Sequence, residues 1–320
     1  MNKIALAIHG GAGTILRSQM TPALEAEYRH GLETALKAGW SILESGGSSL
    51  DAVEAAVASL EDFPLFNAGR GSVFTHEGEQ EMDASIMDGA SLKAGCVAFV
   101  KNIKNPVKLA RLVMDRTEHV LLAGDGANQF ADQMEVEMAP DEYFFTEHRW
   151  LQLQEAIAQG RVQLDHAESE PGAIATGSNA AMSKPIGTVG AVACDQNGNL
   201  AAATSTGGMT NKKFGRVGDT PIIGAGNYAD DTVAVSCTGH GEYFMLGVTA
   251  FDVAARMKYR GLNLEDAARE TIEHLTSIKG EGGLIAVDRE GNVTLPFNSD
   301  GMYRGYVSVD GSIHTEIYGN

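Results

Sequence analysis

Apolar residues run unbroken over positions 4–8 and give way to His9-Gly10-Gly11-Ala12-Gly13, which predicts a buried strand ending in a glycine-rich turn. The period then changes. Leu24, Tyr28, Leu32, Ala35 and Ile42 recur at helical spacing and predict a helix over 21–45, and Ser49-Leu50-Asp51 opens a second that runs to Leu60 and stops before Pro64. Apolar runs at 94–100, 189–194, 200–204 and 232–237, each bounded by Gly, Asn or Asp, read as strands. Further helices are expected over 107–115, 126–135, 141–158, 242–258 and 263–275. Strands at 283–288 and 292–296 flank Arg289-Glu290-Gly291, a hairpin turn. There is no internal repeat.

Residues 159–186 break this rhythm. They are rich in Gly, Ala, Ser and charge with weak periodicity, the composition of a linker or mobile loop. A loop of that length within a compact domain is uncommon unless it serves a function. It is followed at once by Gly187-Thr188-Val189-Gly190-Ala191-Val192, a buried strand headed by threonine.

Composition narrows the classes. A chain of 320 residues with 43% hydrophobic residues and 38 glycines can bury a large core with many tight turns. A formal net charge of −18 argues against nucleic acid or an anionic membrane as partner. Cys96, Cys194 and Cys237 are odd in number, far apart and set in apolar runs, so they read as buried thiols of a reducing compartment. No signal-peptide core or run of about twenty apolar residues occurs, and a cytoplasmic location is expected.

A threonine hydroxyl inside a chain is a poor nucleophile. If the Gly187–Thr188 bond were cut, Thr188 would carry an α-amine of pKa about 8 and supply nucleophile and general base together. Gly187 leaves the scissile carbonyl open to attack. Alone, Gly-Thr-Val is an ordinary strand start, since threonine favours strands. Three downstream segments add to it. Ala203-Thr204-Ser205-Thr206-Gly207-Gly208 places hydroxyls at a strand end, and Gly215-Arg216-Val217-Gly218-Asp219 presents opposite charges suited to a free amino acid. Ser236-Cys237-Thr238-Gly239-His240-Gly241-Glu242 ends a strand in a turn that can aim donors at an oxyanion.

The segments IHGGAG, FPLFNAGRGSVF, MDASIMDG, GTVGAV, ATSTGGMTNK, GRVGDTPIIGAG and CTGHGE, collinear from about residue 3 to 305, resemble the plant-type L-asparaginase/isoaspartyl peptidase family of N-terminal-nucleophile hydrolases, most closely its bacterial isoaspartyl peptidases. The resemblance implies an α+β fold, a four-layer αββα sandwich, from one 320-residue domain self-cleaved into 1–187 and 188–320, which stay together and pair into a homo-oligomer, a dimer of heterodimers. It implies hydrolysis of isoaspartyl dipeptides and L-asparagine with no organic cofactor. By position, Thr188 matches the nucleophile and Thr206 the threonine that orients it. Thr238 and Gly239 match the oxyanion hole, Arg216 the α-carboxylate ligand, Asp219 and Gly241 the α-amine ligands, and Asn67 an asparagine near the site. Backbone carbonyls of Leu60, Glu61, Phe63, Phe66, Ala68 and Arg70 match a structural Na+ loop, although Arg70 stands where relatives often carry an apolar residue. His240 is assigned no role.

Other readings are weaker on the residues. His9-Gly10-Gly11-Ala12-Gly13 and Gly124-Asp125-Gly126 lack the spacing of a phosphate or dinucleotide cradle. The nine histidines show no metal-ligand spacing, and His9 reads as a turn or core histidine. Asp83 and Asp88, five residues apart around a strand, read as turn caps rather than a catalytic pair, and Glu61-Asp62 as a solvated helix end. A glycosylasparaginase would share fold and nucleophile but carry a secretory signal. An uncut chain acting as a storage or binding protein is the non-enzymatic alternative.

Overall fold

In the computed structural model, residues 4–160, 162 and 187–319 are described. Thr21 and Ser48 start the first two helices. Each accepts a backbone N–H with its side-chain oxygen, Thr21 from Leu24 and Ser48 from Asp51, and Pro22 supplies a preset φ. These helices, α1 (Pro22–Glu44) and α2 (Ser49–Glu61), follow β1 (Ala5–Gly13) and precede β2 (Met82–Asp88) and β3 (Lys93–Val100). Next come α3 (Pro106–Arg116), β4 (Leu121–Ala123), α4 (Gly124–Gln133), α5 (Asp141–Phe144) and α6 (Glu147–Ala158). Beyond Gly187 lie β5 (Val189–Cys194), β6 (Leu200–Thr206), β7 (Asn227–Ala229), β8 (Val233–Gly239), α7 (Gly241–Gly247), α8 (Thr249–Arg260) and α9 (Leu264–Ser277). The chain closes with β9 (Gly282–Asp288), β10 (Val293–Thr294), β11 (Gly301–Val307) and β12 (Ile313–Tyr318).

Eight strands form one sheet in the order β12-β11-β1-β5-β6-β2-β3-β4, and four form another, β10-β9-β8-β7. All pairings are antiparallel except β3 with β4. Alternation along each strand sorts the core into separate clusters. Leu6 and Ile8 of β1 and Val189 and Ala191 of β5 face α1 and α2. Their neighbours Ala5, Ala7, Val192 and Cys194 face Ile285 and Val287 of the smaller sheet. Val233, Val235 and Cys237 of β8 point the other way, onto α8 and α9. The space between the sheets is apolar at one end. At the other it is filled by His9, Thr188, Thr204, Thr206, Ser236 and Thr238, all buried.

Several expectations are revised. β1 does not end at His9 but continues to Gly13 through a bulge, since His9 pairs with Arg304 and Gly11 with Tyr303. The helix expected over 141–158 is two, because Phe145 is extended and Thr146 caps a new start, accepting from Arg149 N. The helix expected over 242–258 breaks at Val248, whose φ of 47° and ψ of 47° lie in the left-handed region. Glu61 is fully buried rather than solvated, and its Oε1 accepts from Ser205 Oγ at 2.6 Å and Val107 N at 3.0 Å. Asp88 does cap a turn, accepting from Ala90 N and Ser91 N, whereas Asp83 is buried and accepts from Phe99 N. The three cysteines are free and buried as expected. The expected linker lies outside the described residues save Gln159, Gly160 and Val162. Among the described residues, no helix is long and apolar enough to cross a membrane.

Candidate functional site

Thr188 stands immediately before β5, whose central place in the larger sheet fixes it. Its hydroxyl donates to Thr206 Oγ1 at 3.3 Å, and Thr206 Oγ1 also accepts from Gly208 N at 3.0 Å. The turn that supplies Gly208 is pinned from two sides. Asn67 Nδ2 donates to Gly208 O at 2.7 Å while its Oδ1 accepts from Val73 N, and Lys212 Nζ donates to Gly207 O at 2.9 Å and Glu81 O at 2.7 Å. Burial of the Lys212 ammonium lowers its pKa, opposed by the nearby charge of Asp83.

Thr188 and Thr206 line a cavity of about 20 Å³ together with Gly187, Gly208, Arg216, Asp219 and Gly239. That volume admits roughly one water. Gly187 is itself part of the wall. Arg216 makes a fork-to-fork pair with Glu242, Nε to Oε1 at 2.9 Å and Nη2 to Oε2 at 2.9 Å. Burial opposes ionisation of Glu242, but the Arg216 hydrogen bond and charge hold its carboxyl below the ordinary value. Asp219 is buried, with Oδ2 lacking a hydrogen-bond partner. Burial pushes its carboxyl up to about 7, with Arg216 pulling the other way.

Gly241, at the start of α7, explains how the two charges come close. A Cβ there would lie 2.8 Å from Asp219 Oδ1 and 2.9 Å from Arg216 Nη2. Thr238, at the end of β8, accepts from Ala12 N at 3.3 Å through its Oγ1 and lies beside Gly187. Of the residues expected from the sequence, Gly187, Thr188, Thr206, Arg216, Asp219 and Gly239 line the cavity, Thr238 and Gly241 lie against it, and Asn67 stands behind the turn. Glu242, Lys212, His9 and Ser236 were not anticipated. A carboxylate in the first turn of a helix is normally read as an answer to the helix dipole, and only the fold turns Glu242 onto Arg216.

One cation, one carboxylate and two adjacent alcohols around a small cavity make a site suited to a small zwitterion. Comparison with known proteins agrees with this class. The family model described as asparaginase matches residues 2–317, and the chain belongs to that family. It is 51% identical to an isoaspartyl peptidase of Salmonella typhimurium over 320 residues, covering 99% of both chains. It is 49% identical to the isoaspartyl peptidase of Escherichia coli, covering 99% of this chain and 97% of that one. An isoaspartyl peptidase/L-asparaginase of Xenopus laevis is 44% identical over 99% of this chain and 96% of its own.

Proposed function

We propose that the protein is a self-processing threonine hydrolase that releases aspartate from isoaspartyl dipeptides and L-asparagine. The observation that carries this reading is the meeting of the Thr188 and Thr206 hydroxyls with Arg216 and Asp219 around one cavity that Gly187 helps to close. In the first stage the Thr188 hydroxyl attacks the Gly187 carbonyl. The amide C–N bond breaks as the C–O bond forms and the hydroxyl proton passes to the leaving nitrogen, which becomes the free amine of Thr188; water then hydrolyses the ester, restoring the hydroxyl and leaving Gly187 as a carboxylate. Removal of Gly187 from the wall enlarges a cavity that otherwise has room for little more than a water. In the second stage the amine takes the hydroxyl proton and the oxygen attacks the substrate's β-carbonyl. Thr238 and Gly239 hold the oxyanion. Arg216, oriented in advance by Glu242, binds the α-carboxylate, and Asp219 beside Gly241 binds the α-ammonium. Ammonia or an amino acid leaves, and water cleaves the β-aspartyl ester.

The layered packing of helices against both sheets supports the αββα sandwich, with 1–187 and 188–320 as subunits of one domain that pairs into a dimer of heterodimers in the cytoplasm. A structural sodium ion also fits. Carbonyl oxygens of Glu61, Pro64 and Phe66 crowd around Gly69 and Gly71 so tightly that a Cβ at either would strike them, a donor set suited to a hard cation. The carbonyls of Leu60, Glu61, Phe63, Phe66, Ala68 and Arg70 would hold it. The Arg70 guanidinium rests over the Tyr143 ring, 5.4 Å from its centroid. The ion would fix the loop that carries Asn67 and takes no part in bond making.

Intact mass of the purified protein, followed over days, tests the proposal. Two fragments meeting at Gly187/Thr188 are expected, and Thr188→Ala should abolish both cleavage and hydrolysis. A Thr188→Ala variant that still hydrolyses asparagine overturns the mechanism, and a wild-type chain that stays whole and inactive overturns the enzyme.

A further inference from the structure

His9 is fully buried beside Thr188, yet the two-stage chemistry above leaves it unused. Its Nδ1 is 3.0 Å from the Thr188 carbonyl oxygen and its Nε2 is 2.8 Å from Ser236 Oγ. Ser236 Oγ is 2.7 Å from Thr204 Oγ1. The protons in this chain are determined by one fact, that a carbonyl only accepts. Nδ1 therefore carries the proton. In the neutral ring Nε2 is then an acceptor, so the Ser236 hydroxyl donates to it at 2.8 Å rather than to Ala203 O at 3.4 Å, and the Thr204 hydroxyl, also 3.3 Å from Gly226 O, donates to Ser236. Burial drives the His9 pKa down to about 3, so the ring stays neutral and this tautomer persists.

The chain also joins separate elements. His9, Thr188 and Thr204 belong to β1, the head of β5, and β6 in the larger sheet, whereas Ser236 lies on β8 in the smaller one. Ser236 and Thr238 share a face of β8, two residues apart. The bulge after His9 then brings Ala12 N onto Thr238 Oγ1. Gly190, the partner of His9 on β5, keeps the space open, because a Cβ there would run into both Ser236 Oγ and the His9 ring.

We infer that His9, backed by Ser236, is a positioning residue that holds the nucleophile Thr188 by its carbonyl in register with the strand bearing Thr238 and Gly239. This rests on Thr188 being the nucleophile. It assigns no proton transfer to His9, only the placement of one reacting oxygen against the oxyanion donors. A displacement on the order of 1 Å is enough to cost about 100-fold in rate.

Two substitutions separate the ring's roles. His9→Asn keeps an N–H at the same bond distance from Cβ as Nδ1, whereas His9→Gln reaches only the Nε2 position. With L-asparagine as substrate, His9→Gln should lower kcat by about 100-fold and leave KM within about twofold, because the Arg216–Asp219 clamp is untouched. Fragment appearance should slow in parallel, and His9→Asn should recover most of both rates. Ser236→Ala, a small change that leaves Nε2 unpaired, should lower kcat about tenfold at unchanged KM and serves if His9→Gln does not fold. Folded variants with unaltered kcat, equal losses in the Asn and Gln forms, or a rise in KM that matches the fall in kcat would each overturn the assignment. A Thr188→Ala control keeps the two hypotheses apart: retained turnover there defeats the nucleophile itself, whereas a dead control alongside normal His9 variants defeats only the positioning role.

Discussion

Asp219 is a carboxyl without a partner on one oxygen, and burial raises it from 3.8 to about 7. While it keeps its proton it is a weak ligand for an ammonium group, so acid should weaken substrate binding before it stops the chemistry. KM for L-asparagine is expected to climb about tenfold per pH unit below 7, following one ionisation. In the proposed mechanism the freed Thr188 amine, of pKa about 8, would act on kcat instead, because protonation removes the base. Separate kcat and KM profiles between pH 5.5 and 9 distinguish the two; a flat KM would show that Asp219 does not meet the ammonium. The same shift has a stability sign. A carboxyl with a raised folded pKa stabilises fully below its unfolded value and loses that contribution as pH climbs from about 4 to about 7. Asp219→Asn should therefore gain Tm relative to the parent at pH 8 and not at pH 4.

At the scale of elements, the turn from β8 into α7 decides whether the charge clamp can form. Gly241 has no positive φ, so alanine suits its backbone, and only the new methyl meets Asp219 and Arg216. Gly241→Ala should raise KM about 30-fold or more, since disturbing one member of a buried charged set costs about 2–5 kcal/mol. An unchanged KM would mean that substrate binds elsewhere. Most of the helices and the long apolar strands were legible in the sequence because their period was clear, as at Leu24, Tyr28 and Leu32, whereas the caps Thr21 and Ser48 emerge from the structure. What was missed has physical reasons. β11 contains two glycines and Arg304, so it does not read as an apolar run. Arg304 is tolerated there because it pairs across the ladder with Glu316 of β12. Val248 gives no sign in composition of its left-handed backbone. The site was readable as a set of motifs, but the contacts of His9 with Ser236 and of Arg216 with Glu242 span 227 and 26 residues and exist only in the fold.

For the whole molecule, the proposed cut falls between strands that remain interleaved. β1, from before Gly187, lies between β5 and β11, both from after it, and β2 lies against β6. The two pieces thus share one continuous sheet and are held by its full hydrogen-bond ladder, so the cut need not loosen the native state. Unfolding is a different matter. A parent chain returns to its fold by a first-order search, whereas a cleaved protein, once denatured, would consist of two separate peptides whose recovery is a collision. Refolding yield of the mature form should therefore fall on dilution while that of uncleaved Thr188→Ala does not, as recovery of native fluorescence after a denaturant jump at several protein concentrations would reveal. Cleavage of this kind would be a one-way door: assembly information carried by the continuous backbone is spent once, and a denatured molecule could not return by the route that made it.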